Sequence, residues 1–233
     1  MKKYFYMVLD VETANTTDDA LVYDVGFAIT DRKGNIYEKY SYIVRETFFD
    51  YADLMKSAYY AEKLPKYYKG IKNGDFCVKS LYAVRKQIAD LIKKYNIHAV
   101  CAYNAYFDST ALNKTQRYMT KSKYRYFLPY GTQIFCIWHM ACQVICTQKG
   151  YVKFCLDNGF VSPKGNIKTS AETVYAFLTR NEQFKEQHTG LQDVLIETEI
   201  MKECFKKHKK MKMNINRFCW RIPQKIFDKL KNL

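Results

Sequence analysis

Lys3-Tyr4-Phe5-Tyr6-Met7-Val8-Leu9-Asp10-Val11-Glu12-Thr13 opens the chain with an aromatic, apolar run that ends on two carboxylates one residue apart. Bulky apolar and aromatic side chains in such a run read as a buried strand. Side chains alternate along a strand, so Asp10 and Glu12 point to one face. Two acids held side by side repel each other unless a cation sits between them. They also stand at the carboxyl end of the strand, where α/β sheets place ligand sites. Asp-x-Glu by itself is common on solvated surfaces; the apolar run in front of this pair sets it apart.

Working outward, residues 23–31 and 36–44 are strand-like and flank the turn signal Lys33-Gly34-Asn35, which predicts a hairpin or meander. A helix is expected over 50–62, with Asp50 as cap and an end near Leu64-Pro65. Between Val78 and Tyr95 the apolar residues Leu81, Val84, Ile88, Leu91 and Ile92 recur with helical period. A strand follows at Ile97–Ala102, a helix at Tyr106–Met119, and a strand at about Thr132–Cys136 running into a cysteine-bearing helix. The Gly/Pro-containing stretch Asn158–Lys168 reads as a loop, with helices after it at about 170–180 and 190–207. The expected fold is α/β: a ribonuclease H-like mixed sheet of about five strands, the first three antiparallel, flanked by α-helices.

The 233 residues are enough for one generous domain, and 48% hydrophobic against 26% charged residues excludes a disordered chain. The net charge of +15 calls for an acidic partner, nucleic acid being the commonest; lysine-rich drift in an AT-rich genome is the competing account. No apolar run reaches the roughly 18–20 residues of a membrane span, and Met1-Lys2-Lys3 leads into the acid-bearing strand and not into a signal peptide, so no membrane role and a cytoplasmic location are expected. Eight cysteines then read as reduced thiols. Cys136, His139, Cys142 and Cys146 suggest zinc, but their helical spacing cannot wrap four ligands around one ion, and buried thiols are the better account.

Two further stretches carry acids. Asn104-Ala105-Tyr106-Phe107-Asp108 places Asp108 in a first helical turn, a position the helix dipole alone favours. After it no Asp or Glu occurs from Ser109 to Leu156, whereas Lys114, Arg117, Lys121, Lys123, Arg125, Lys149 and Lys153 do, with Tyr118, Tyr124 and Tyr126 among them. A basic, aromatic surface starting beside a carboxylate suits a nucleic-acid groove. In His188-Thr189-Gly190-Leu191-Gln192-Asp193 the acid and histidine are five apart, about 140° on one helix. Thr189-x-x-Gln192 is a capping-box pattern. It sets Asp193 rigidly in the helix and His188 on a more mobile loop, as a group that takes and releases a proton requires.

In these three motifs, their order and their intervals, the chain resembles the DEDDh (DnaQ-like) 3′–5′ exonucleases over roughly residues 4–205. Ala58-Tyr59-Tyr60-Ala61-Glu62-Lys63 and Thr169-Ser170-Ala171-Glu172 look similar to small stand-alone members from phages and low-GC bacteria. Two departures are Tyr103, where relatives often carry histidine, and Gly190, where alanine is usual; the glycine is expected to loosen the helix start. The resemblance implies an exonuclease domain at 1–207 with a basic, helical segment at 208–233 packed on it or extending from it. It further implies that Asp10, Glu12, Asp108 and Asp193 hold two divalent cations, Mg²⁺ or Mn²⁺, and that His188 is the general base. Thr13, Asn104 and Phe107 would meet the substrate, a nucleic acid with a free 3′ end, single-stranded DNA favoured. A polymerase or other replication protein is the further partner it suggests. An exoribonuclease, or a non-catalytic nucleic-acid-binding or polymerase-accessory protein on the same fold, are the rival readings. Residues 202–233 carry eleven Lys or Arg against Glu203 and Asp228. They read equally as a basic arm or as an amphipathic helix with Ile222, Ile226, Phe227 and Leu230 on its apolar face.

Overall fold

Alternation along β1 (Phe5–Ala14) divides its side chains between two cores, one on each face of a sheet. The computed structural model describes residues 3–58, 61–120 and 125–231, with side chains as far as 228 in the last helix. Tyr59, Tyr60, Lys121, Lys123, Tyr124 and the Leu230 side chain lie outside the described residues. Met7, Leu9 and Val11 join the core beneath α2 (Leu81–Lys94) and α3 (Ala105–Thr120). Tyr6 and Val8 join the opposite core, with α4 (Ile137–Val144) and α7 (Gly190–Lys206). Asp10 and Glu12 continue the Tyr6–Val8 parity, so the strand's own period turns both carboxylates toward α7.

β1 pairs antiparallel with β2 (Leu21–Asp31), and β2 pairs antiparallel with β3 (Ile36–Val44). At the turn between β2 and β3, Gly34 takes φ +78° and the Asp31 carboxylate accepts from the Lys33 amide at 2.8 Å. On the far side β1, β5 (Ala99–Ala102) and β6 (Ile134–Cys136) run parallel, and β4 (Cys77–Lys79) adds a parallel edge beside β3. The order is β4-β3-β2-β1-β5-β6, six strands against the five expected, the extra one being too short for any periodicity to show. The β1–β5 pairing ends at Val8↔Cys101, so Asp10 and Glu12 project just past the carboxyl ends of the parallel strands.

The helix expected at 50–62 is replaced by a π-turn over Glu46–Asp50 and 3-10 turns over Ala52–Ser57 and Ala61–Lys63. The helix begins where that one was expected to end: α1 spans Leu64–Asn73 with Pro65 in its first turn. Proline lacks an amide hydrogen, and the first turn is where none is needed, so Pro65 starts a helix here and does not stop one. α5 (Lys149–Asp157), unforeseen, and α6 (Ala171–Thr179) pack beneath the sheet with α7, and α8 (Arg221–Lys231) closes the chain. Phe227 of α8 is buried in that same core. Among the described residues no helix is long and apolar enough to cross a membrane.

Candidate active site

A cleft of about 530 Å³ opens at the carboxyl ends of β1 and β5, and Asp10, Glu12, Asn104, Phe107, Asp108, His188 and Asp193 all line it. Three parts of the fold bring them there: the outer half of β1, the start of α3, and the loop leading into α7 with that helix's first turn. Thr13 is not among the lining residues; it follows a register shift between Glu12 and Thr13. Glu12, His188 and Asp193 present ligand atoms within 4.8 Å of one another. Asp10 and Asp108 line the same cleft but stand outside that tight group.

The cleft holds more acid than the sequence motifs name. Glu197 lies one helical turn beyond Asp193 and so on the same face of α7. It is buried, it lines the cleft, and its Oε2 has no hydrogen-bond partner among the described residues. Glu186, which also lines the cleft, and Glu172 form a second tight group with His188. The spacing of Glu197 from Asp193, four residues, was the one signal that could have found it.

Burial raises the pKa of every one of these cleft acids for which a shift is resolved; repulsion from neighbouring acids adds to it except at Asp108, where backbone hydrogen bonds offset part of the rise. Burial pushes Glu12 to about 9, with Asp193 and Asp24 adding their charge, and Glu186 to about 8. Asp108 and Asp193 are pushed to about 7. Asp10 and Glu197 are also held well above the carboxylate range, by burial first and by neighbouring acids second. His188 moves the other way: burial, then the charge of Lys63, lowers its pKa and favours the neutral imidazole. Its Nδ1 lies 3.8 Å from Glu186 and 3.9 Å from Asp193, too far for a hydrogen bond to either.

The α7 start is fixed differently from the expected capping box. Thr189 is the N-cap residue, but its side chain makes no capping bond. Instead the buried Asp24 carboxylate accepts from the Gly190 amide at 3.0 Å and from the Tyr67 hydroxyl at 2.7 Å, tying β2, α1 and α7 together. Lys63 donates to the Gln187 carbonyl at 2.7 Å, and His188 itself takes a left-handed φ of +50°. Gly190 does not loosen the helix start. A Cβ there would lie 2.6 Å from the Gly26 amide nitrogen, so the glycine is what lets α7 reach the sheet.

Crowded, desolvated carboxylates with orphaned oxygens are a donor set for a hard divalent cation, and the residues present fit one. A carboxylate whose folded pKa exceeds its unfolded one binds more protons in the native state, so stability falls as pH rises between the two values. His188, with its pKa lowered, acts in the opposite sense only below its ordinary 6.5. The cation-free protein is therefore expected to lose melting temperature steadily from about pH 6.5 up to the Glu12 value of about 9. Mn²⁺ or Mg²⁺ should restore it, most strongly at the alkaline end. A melting temperature flat across that window, with and without cation, would contradict the electrostatics of the cleft.

No protein-family model matches the chain, and no curated protein matches it by sequence. Solved structures do resemble it. The nuclease domain of 3'hExo, a DEDDh family member bound to rAMP, aligns over 91% of this chain and 96% of that one, with a TM-score of 0.57 and 13% identity. E. coli Exonuclease I in complex with a 5cy-dT13 oligonucleotide aligns over 99% of this chain and 43% of that one, with a TM-score of 0.53 and 11% identity. The zinc-bound form of the E. coli ExoI–ssDNA complex aligns over 86% and 40%, with a TM-score of 0.51 and 11% identity. The chain spans less than half the length of Exonuclease I. Identities this low establish fold alone, and the fold is the ribonuclease H-like α/β architecture of DEDDh exonuclease domains.

Proposed function

We propose that the protein is a metal-dependent 3′–5′ exonuclease that hydrolyses phosphodiester bonds from the 3′ end of nucleic acid, DNA favoured, and releases nucleoside 5′-monophosphates. The observation that carries the reading is the convergence of Asp10, Glu12, Asp108, Asp193 and His188 on one cleft from three distant parts of the chain. The four acids would hold two divalent cations, Mg²⁺ or Mn²⁺, which supply stabilisation of charge on the attacking and leaving oxygens. His188, kept neutral by burial, takes the proton of the attacking water. Asn104 and Phe107 line the cleft; these two and Thr13 are assigned to the terminal nucleotide. Residues 208–233 are an extension of the same domain, supported by the burial of Cys219 and Phe227. Eight free thiols fit the reducing cytoplasm.

The test is direct. The protein is incubated with 5′-labelled single-stranded DNA, duplex DNA and RNA, with Mg²⁺, Mn²⁺ or chelator. Cation-dependent ladders shortening from the 3′ end are expected. His188→Ala should slow turnover by about 10²–10⁴-fold while changing DNA affinity little. Substrates left intact under every cation would overturn the proposal. One observation favours an exoribonuclease as the second reading: 3'hExo was solved with a ribonucleotide, rAMP. The RNA lane decides between them.

A further inference from the structure

Two acid-free stretches of the chain meet beside the cleft. One runs from Ser109 to Leu156; the other, from Cys204 to Phe227, carries eight Lys or Arg and no Asp or Glu. Residues 212–216 of the second are pinned to the first. The Cys136 amide donates to the Met213 carbonyl at 2.7 Å, and the Gln143 amide to the Lys212 carbonyl at 2.8 Å. His139 Nδ1 lies 2.8 Å from the Asn214 carbonyl oxygen and donates to it. His139, which looked like a zinc ligand in the sequence, fastens this segment instead. Ile215 and Trp138 pack against the same small cluster of Ala102, Ala105 and Cys136, and Trp138 lines the cleft. Past this anchor the chain turns outward: the exposed Arg217 guanidinium sits 4.2 Å over the Tyr106 ring, two residues from Asp108. Exposed Arg221 lies 4.8 Å over the Phe218 ring, which is itself 58% exposed. Among the described residues neither arginine is in salt-bridge reach of a carboxylate.

We propose that the Arg217–Phe218–Arg221 surface binds the sugar-phosphate strand and bases of single-stranded nucleic acid behind the 3′ end that enters the cleft; this rests on the exonuclease reading. The charge complementarity is local. A cleft lined with carboxylates repels phosphates, and a border without any acid, bearing Arg and a flat exposed ring, offers the attraction that brings a strand to it. Arginine suits this role because its planar guanidinium both pairs with phosphate and stacks.

The experiment measures binding of fluorescein-labelled dT20 to the full chain carrying Asp10→Asn, across a salt series. Adding Arg217→Ala and Arg221→Ala together should weaken binding about tenfold and reduce the slope of log K against log salt by about 1.4, two single-strand phosphate contacts. The control pair Lys86→Ala with Lys93→Ala removes the same charge from α2 and should change neither quantity. Equal losses in both pairs, or no loss in the arginine pair, would overturn the inference. A separate assay of the unmodified chain judges the nuclease reading. If it releases no mononucleotides, that reading falls, while the dT20 comparison still decides this surface.

Discussion

Asp10→Asn is expected to cut cation-dependent release of mononucleotides about 10³-fold while raising the melting temperature of the cation-free protein. The two effects share one cause. Asp10 sits at the end of a buried strand, facing Glu197, Asp108, Glu12 and Asp193, and its carboxyl is held far from its ordinary pKa by burial and by those neighbours. Asparagine keeps the shape and cannot ionise, so the cation-free cleft no longer has to hold that carboxyl protonated or bear its charge among the other acids. A relief of about 1 kcal/mol would read as about 2–4 °C in a chain of this size. The same deletion removes an anionic oxygen from the set proposed to hold the cations. Loss of one preorganised electrostatic partner costs turnover about 10³-fold. The combination is diagnostic, because an ordinary destabilising substitution lowers activity and melting temperature together. Full activity of Asp10→Asn would sink the assignment, and so would a lowered cation-free melting temperature with cation rescue unchanged.

The first three strands were legible because their signals are local. Alternation, β-branched and aromatic residues and a Gly-Asn turn act within a few residues, and β3 spans the very residues, 36–44, that the pattern marked. The helix carrying Asp108 and the one carrying Asp193 were legible for the same reason, through period and flanking turns. What escaped was decided by partners distant in sequence. β4 is three residues that become a strand because Tyr42–Val44 of β3 offers them an edge. Pro65 is compatible with either end of a helix, and only the packing of Tyr67 into the core beside Tyr23 and Phe48 shows which.

The candidate site divides in the same way. Its motif residues were visible because each stands against a local background: two acids after an apolar run, one acid before an acid-free stretch, a histidine before a helix. Glu197 has no such background. It sits among Glu199 and Glu203 on a helix whose other glutamates face lysines, and only its register with Asp193 separates it from a solvated residue. Asp24 was hidden more deeply, inside a strand with every residue buried, where an acid reads as an anomaly until the Gly190 amide and the Tyr67 hydroxyl are seen to satisfy one of its oxygens. A buried acid can be kept only if such donors reach it. Those donors are 166 and 43 residues away in sequence.

Gly26→Ala should be among the most damaging single-methyl additions this chain can receive. A Cβ at that position would lie 2.0 Å from the Gly190 carbonyl carbon and 2.2 Å from the Leu191 amide nitrogen. Both are backbone atoms, so no rotamer can relieve the clash; α7 must lift from the sheet. Overpacking of a rigid core costs about 1–3 kcal/mol and occasionally more. Here the upper end is expected, about 3 kcal/mol, which corresponds to a fall of about 6–12 °C in melting temperature. The functional loss should exceed what that instability explains. Lifting α7 breaks the bond between Asp24 and the Gly190 amide and draws Asp193, Glu197 and His188 away from Asp10 and Glu12. At a temperature where the variant is still folded, cation-induced stabilisation should therefore shrink and nuclease turnover should drop by orders of magnitude. Gly190→Ala, whose Cβ would approach the Gly26 amide nitrogen at 2.6 Å, should show the same pair of effects in milder form. A Gly26→Ala protein that melts and binds Mn²⁺ like the parent would mean that α7 does not seat on β2 through these two glycines.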